Sequence, residues 1–415
     1  MNLKYFLFVP AFLLSLPLVR SQDTLTVMYY NVLSYTTSTY GKTHFFKDIS
    51  KYIKPDILVL NEIFSDSGSV HVLDYVLNTD GDTNYDKADF TDGPDSDNML
   101  FYNKNKIRLV SQDTIQTDLR IINEYFLYYN DSAFTAQYDS VLFNVYAAHL
   151  KASTGSSNEQ QRLLEVQKFI QHLANGNDKK NILFGGDMNF YSSSEPALEY
   201  LIAPGPYQMY DPLDSIGYWH DNSLYARLHT QSTRVSAFGG GATGGMDDRF
   251  DFIFISSDLK NGGNYAKYIN GTYWAFGNDG HHLNDSLLSL PQYNNLPDSI
   301  TSSLYYMSDH LPVIMKIIIN YDVSIPDNEI VYPDILKIFP NPASDFASIT
   351  FPEPVFSEVN YVIETGTGKI ISSRKLHLNG NSTFQVNLKG IENGIYFIRV
   401  SDNLRCFSGK ISVLK

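Results

Sequence analysis

The chain has 415 residues, enough for one large domain and a small one, and its single cysteine, Cys406, excludes an internal disulfide. The formal net charge is −14, and residues 22–328 alone hold −17, which argues against a body that grips nucleic acid through basic patches. With 30 Tyr and 26 Phe the composition suits β-rich structure.

Residues 1–21 read as a secretory signal. Lys4 gives a positive start, Tyr5 to Leu18 are apolar apart from Ser15 and two prolines, and Val19-Arg20-Ser21 offers a small-residue cleavage site. A membrane anchor is the rival reading, disfavoured because the apolar core is short and interrupted by proline. Export without disulfides points to a bacterial exoprotein held together by its core. From residue 24 to 320, short apolar runs bounded by turn residues predict strands at Leu25–Tyr30, Ile57–Leu60, Met99–Tyr102, Val141–Ala148, Ile182–Phe184, Phe250–Ile255 and Val313–Ile319. Between them lie helical patterns at His44–Ile53 and Asn158–Ala174, the second with a stripe of Leu163, Leu164, Val166, Phe169, Ile170 and Leu173. Strands alternating with helices predict a layered α/β (α+β) domain over residues 22–321. Asp322, Pro326-Asp327-Asn328-Glu329 and Pro333 then give a linker composition over 322–333. From 334 to 415, short strands separated by Gly/Asn turns, with no helical pattern, predict a small all-β sandwich.

Polar clusters recur at the ends of the apolar strands. Asn31 closes the first, Asn61-Glu62 the second, and His149-Leu150-Lys151 follows Tyr146-Ala147-Ala148. Gly185-Gly186-Asp187-Met188-Asn189 ends the next, Asp251 stands at the start of another, and Ser308-Asp309-His310 precedes the last. Each alone has a bland reading as a turn former or a satisfied polar residue. Six such coincidences are far less probable than one shared site. Glu62, Asp309 and the amide oxygen of Asn31 are hard ligands for Mg²⁺, with Ca²⁺ or Mn²⁺ as alternatives. His310 is the candidate to take a proton from water, with Asp251 fixing its tautomer. Asp187 is a candidate to hold that water, Asn189 to donate to phosphoryl oxygens, and His149 and Lys151 to supply positive charge. Arg120, His229 and Arg234, with the Gly239–Gly245 loop, are candidates to line the substrate cleft.

These blocks, in this order, resemble the endonuclease/exonuclease/phosphatase superfamily, the metal-dependent phosphohydrolases related to pancreatic deoxyribonuclease. The likeness spans residues 24–320; Asn61 departs from it, since the family usually has Gln there. It implies Glu62 as main metal ligand, His310 as general base, Asp251 as its partner, and a fold of two packed mixed sheets flanked by helices, a four-layer sandwich. Ile338-Phe339-Pro340-Asn341-Pro342-Ala343, Gly394-Ile395-Tyr396-Phe397 and Lys415 are similar to the C-terminal sorting domains of the type IX secretion system of Bacteroidetes; a substrate-binding sandwich is the rival. The resulting expectation is a secreted or cell-surface monomer without membrane insertion. Its reaction is metal-dependent hydrolysis of a phosphodiester, with nucleic acid as first choice of substrate. A phosphatase or sphingomyelinase activity and a non-catalytic surface binding protein are the alternatives.

Overall fold

The computed structural model describes residues 23–130, 141–176, 179–319, 334–355, 358–365, 369–378, 381–401 and 406–415. The expected signal at 1–21 and linker at 322–333 lie outside the described residues. In chain order the strands of the large region are β1 (Asp23–Tyr35), β2 (Ile57–Ile63), β3 (Tyr85–Lys87), β4 (Asp97–Asn103), β5 (Ile107–Ile115) and β6 (Ile122–Tyr129). They continue as β7 (Leu142–His149), β8 (Ile182–Asp187), β9 (Asp251–Ile255), β10 (Ala266–Tyr268), β11 (Trp274–Ala275) and β12 (Val313–Ile319). Its helices are α1 (Thr43–Ile53), α2 (Asp66–Val72), α3 (Ser156–Asn175), α4 (Pro196–Ile202), α5 (Ser257–Asn261) and α6 (Asp298–Met307).

One sheet runs β10-β12-β1-β2-β4-β3, with β11 also on β12; the other runs β5-β6-β7-β8-β9. Each is mixed, because β1 and β2 are parallel across α1, β7 and β8 are parallel across α3, and their other neighbours are antiparallel. Side chains alternate as a strand requires. Val145, Ala147, Leu183, Ile253 and Ile255 face the first sheet and share a core with Val27, Tyr29 and Val59. Tyr146, Phe184, Phe252 and Phe254 face away, onto Val166, Phe169, Leu198 and Leu201 of α3 and α4. Phe169 and Phe184 stack with centroids 3.9 Å apart. The outer face of the first sheet carries α1 and α6 through Phe46, Ile49, Ile300 and Leu304. Helices, sheet, sheet, helices make the four expected layers.

Two sequence expectations need adjusting. Leu164 lies on the exposed side of α3, not in its apolar stripe. Strand β5 was not anticipated, since as an edge strand it exposes most of its side chains and has no apolar run to read.

At one end the sheets are joined by buried amides. Asn61 on β2 donates to Asn98 Oδ1 at 2.6 Å and Ala148 O at 3.1 Å, and accepts from Asp187 N at 3.0 Å. Asn98 in turn donates to Asn123 Oδ1, Ile121 O and Ala147 O. The seam is so close that a Cβ on Gly186 (φ +129°) would lie 2.8 Å from Asn61 Oδ1 of the opposite sheet.

Residues 334–415 form β13 (Asp334–Ile335), β14 (Lys337–Phe339), β15 (Phe346–Val355), β16 (Glu358–Thr365), β17 (Ile370–His377), β18 (Asn381–Asn387), β19 (Gly394–Ser401) and β20 (Cys406–Val413). They pair as β13-β20-β19-β16-β17 and β14-β15-β18, around a separate core that includes Ile349, Val386, Ile398 and Ile411. Among the described residues no helix is long and apolar enough to cross a membrane.

Asn61→Leu leaves Asp187 N, Ala148 O and Asn98 without their buried partner. It is expected to cost on the order of 2–4 kcal/mol in chemical denaturation; a loss under 0.5 kcal/mol would mean the sheets need no polar tie.

Candidate active site

Parallel strands β1 and β2 finish at the same end as β7 and β8, and the antiparallel β9 and β12 start there. That topology gathers Asn31, Glu62, His149, Asp187, Asn189, Asp251, Asp309 and His310 at one pole. Glu62 (φ +64°) and Asn189 (φ +53°) adopt left-handed backbone that carries strain in a non-glycine residue.

His310 Nδ1 lies 2.8 Å from Asp251 Oδ2, and its Nε2 lies 3.6 Å from Asp187 Oδ2. His149 Nε2 reaches the same Asp187 oxygen at 3.4 Å, with its Nδ1 3.3 Å from Ser96 Oγ. Asn189 donates to Asp187 Oδ1 at 2.8 Å and to Leu150 O at 3.3 Å. Asn31 Nδ2 bridges Glu62 Oε1 at 2.9 Å and Asp187 Oδ2 at 3.1 Å, while its Oδ1 accepts from Leu33 N. The Asn31 oxygen, expected as a metal ligand, here accepts from Leu33 N, and the Asn31 nitrogen faces the two carboxylates. Glu62 Oε2 accepts from Ser34 N at 2.7 Å.

Charge at this pole is one-sided. Burial raises the Asp187 carboxyl, Asp251 and Glu62 raise it further, His310 opposes, and it is pushed up to about 7. Burial pulls His310 down, but Asp251, Asp187 and Asp309 outweigh it and hold the imidazole well above its usual value. For His149, burial first, then Arg120 and His310, push it well below. That shift favours the neutral imidazole over the positive charge expected there.

Four expected substrate contacts do not reach into this cluster. Lys151 Nζ donates to Ala152 O, and Arg120 donates to His149 O and Leu150 O and pairs with Asp95. His229 is fully buried, its nitrogens facing Trp219 O and Met246 O. Arg234 is also buried, its guanidinium spent on Tyr305 O, Phe238 O and Gly240 O. Both residues serve the architecture of the segment, since buried polar groups need partners.

The residue of that segment that does reach the cluster is Gln231, where the expectation had fallen on His229 and Arg234. Its Nε2 lies 2.6 Å from His310 Nε2 and 3.1 Å from Asp309 Oδ2. The segment is pinned on both sides, since Thr230 Oγ1 accepts from Phe250 N and Asp251 N, and Leu311 N donates to Thr230 O. Only its position inside a polar run between two site blocks could have flagged it. Asp309 Oδ2 also accepts from Ala242 N at 2.6 Å in the glycine loop. A Cβ on Gly241 (φ +81°) would lie 2.6 Å from the Asp309 carboxyl carbon, so the loop can close on Asp309 only as glycine.

The donor set fits a hard divalent cation. Asp251 Oδ1 and Asp309 Oδ1 are buried without a hydrogen-bond partner among the described residues, and Glu62 and Asp187 crowd the same space. Beside them, His220, Asp247 and Asp248 bring three further ligand atoms within 4.8 Å of one another.

Residues 28–310 match the Endonuclease/Exonuclease/phosphatase family. The chain belongs to that family. Its members generally act on phosphoesters and usually use a divalent metal, and this chain is a hydrolase of that superfamily. Residues 337–414 match the Secretion system C-terminal sorting domain, which indicates type IX export to the cell surface or medium. Similar solved structures include the human Nocturnin catalytic domain with bound sulfate anion (18% identity, TM-score 0.43, covering 71% of this chain and 97% of that one). Another is D. rerio TDP2 complexed with single strand DNA product (12%, TM-score 0.44, 71% and 99%). A third is the endonuclease/exonuclease/phosphatase from Beutenbergia cavernae DSM 12333 (11%, TM-score 0.43, 94% and 100%). No curated protein matches the chain.

One carboxylate at the rim gives a pH test. Burial, helped by Asp92 and Asp95 and opposed by the Gly93 N–H, pushes Asp97 up to about 6. Between its ordinary value near 4 and 6 the folded state keeps a proton that the unfolded chain has released, so stability falls as pH rises through this window. Asp97→Asn keeps an acceptor for Gly93 N and should be more stable than wild type above pH 6 by about 1–2 kcal/mol after solvent screening. Denaturation curves at pH 4 and pH 8 check this, since the advantage should vanish at pH 4.

Proposed function

We propose that the chain is a secreted, Mg²⁺-dependent phosphodiesterase, most simply an extracellular nuclease, in which water attacks phosphorus without a covalent intermediate. The observation that carries this reading is the buried His310–Asp251 pair, 2.8 Å apart, set beside Asp309 with its unpartnered oxygen. Asp251 accepts the Nδ1 proton of His310 and so leaves Nε2 as the atom that takes a proton from water. Gln231 holds Nε2 in the substrate-free site and gives way to that water. Asp187, carried by Asn31 and Asn189, orients the water on the far side of the imidazole, and neutral His149 donates toward Asp187 or a phosphoryl oxygen. Glu62 and Asp309 would hold the ion. When bound, it supplies positive charge that stabilises the phosphoryl oxygens and counters the carboxylate field on His310. Residues 22–321 act as the catalytic unit and 334–415 as a sorting unit read by the secretion machinery.

On a small phosphodiester, His310→Ala is expected to lower kcat by about 10²–10⁴-fold and Asp251→Asn by a similar order, with KM little changed. Wild-type rates in both would sink the assignment. Chelation should abolish turnover and Mg²⁺ restore it, while Glu62→Gln should raise the Mg²⁺ concentration needed by about 10–100-fold. Assays on plasmid DNA, RNA, sphingomyelin and inositol phosphates decide the substrate. Deleting residues 334–415 should trap an active enzyme inside the cell; unchanged export would remove the sorting role.

A further inference from the structure

A set of rings borders the Asp309 side of the site. His44 and Phe45 at the start of α1 lie 3.7 Å apart, and Phe45 stacks on Tyr306 at 5.2 Å. Tyr306 meets Tyr305 at 5.0 Å and Phe238 of the glycine loop at 5.5 Å. Phe238 is 45% exposed and Tyr306 36%, so ring surface is left open to solvent.

This rim is tied to the catalytic residues on three sides. Arg234 stacks on Phe238 at 5.1 Å and Tyr305 at 5.9 Å while donating to the carbonyls of Phe238 and Gly240. The same loop gives Ala242 N to Asp309. Tyr305 and Tyr306 close α6 immediately before Ser308-Asp309-His310, and Lys42, which leads into α1, donates to Val32 O and Leu33 O just past Asn31. The candidate cleft cations Arg120, Lys151 and Arg234 donate to backbone carbonyls, and residues 22–328 are strongly acidic. Among the described residues, these cations therefore have donors already committed to backbone rather than free to clamp a duplex backbone. Flat apolar rings beside a phosphodiester site offer the other source of affinity, stacking on bases, and only unpaired bases expose their faces.

We propose that Phe45, Phe238, Tyr305 and Tyr306 form a stacking platform that makes single-stranded nucleic acid the preferred substrate. The inference rests on the nuclease reading and deepens it by naming the substrate class. The platform binds the bases next to the scissile phosphate, and the acidic body repels duplex DNA, whose bases stay stacked on one another.

The test compares kcat/KM for a single-stranded oligonucleotide, the same sequence as duplex, and bis(4-nitrophenyl) phosphate, using the full chain. In wild type the single strand should be cleaved at least ten times better than the duplex. In Phe238→Ala/Tyr306→Ala, the ratio of single-strand to small-diester kcat/KM should fall roughly 10- to 100-fold, carried mainly by KM. Because it is a ratio, partial unfolding lowers both terms and leaves it unmoved, and Phe238→Trp should keep it. An unmoved ratio in a wild type that does cleave single strands overturns the platform alone. Equal cleavage of the duplex also overturns it. Loss of binding to sphingomyelin vesicles with the oligonucleotide ratio intact reassigns the rim to a lipid surface. If wild type hydrolyses the small diester but neither oligonucleotide, the nuclease reading itself fails, and the platform with it.

Discussion

The site depends on a buried amide that holds two sheets together at one end. Asn61 spends its donors on Asn98 and on Ala148 O, and its oxygen on Asp187 N, so β2, β4, β7 and β8 end in fixed relation. The next residue along β2 is Glu62, and the acceptor on β8 is the backbone of Asp187 itself. A shift between sheets would therefore move the carboxylates relative to one another. A hydrophobic contact could not do this, because burial has no preferred direction, whereas a hydrogen bond loses strength within a few tenths of an ångström and a few tens of degrees.

Around that fixed point the electrostatics are deliberately unbalanced. Half-buried Glu62 and buried Asp187, Asp251 and Asp309 converge at one pole, with Asp187 pushed up to about 7 and His310 held high by its neighbours. Buried like charges are costly unless something positive shares the space. The two unpartnered carboxylate oxygens of Asp251 and Asp309 mark where such a charge would sit. Glu62 and Asn189 also hold left-handed backbone at this pole.

Much of the fold was legible because it rests on local pattern. Parallel strands buried on both faces read as continuous apolar runs, as Ile57–Leu60 does, and α3 announces itself by period. Strands β5, β6 and β20 went unread, since the edge strand β5 exposes most of its side chains, β6 mixes Asn123 and Glu124 into its start, and Ser408, Gly409 and Lys410 break the apolar pattern of β20. The candidate site was legible in part for a different reason. Polar residues at the mouths of apolar strands are conspicuous in one dimension. Which of their atoms face inward is not. His229 and Arg234 drew attention by residue type and are buried structural posts, while Gln231, an ordinary amide in the same segment, has its nitrogen against both Asp309 and His310.

The chain alone determined the kind of chemistry available: hard oxygens, imidazoles, no thiolate site, an acidic body, and a β-only tail after the last catalytic-region strand. Those are properties of composition and of neighbours along the backbone, which need no fold to be stated. Tertiary structure alone decided that Asn31 turns its nitrogen to the carboxylates, that burial pushes His149 toward its neutral form, that Arg120, Lys151 and Arg234 donate to carbonyls, and that rings from α1, the glycine loop and α6 meet beside Asp309. Each of these turns on which groups from distant segments share a buried volume. Desolvation and hydrogen-bond geometry act through space, and no spacing along the chain encodes them.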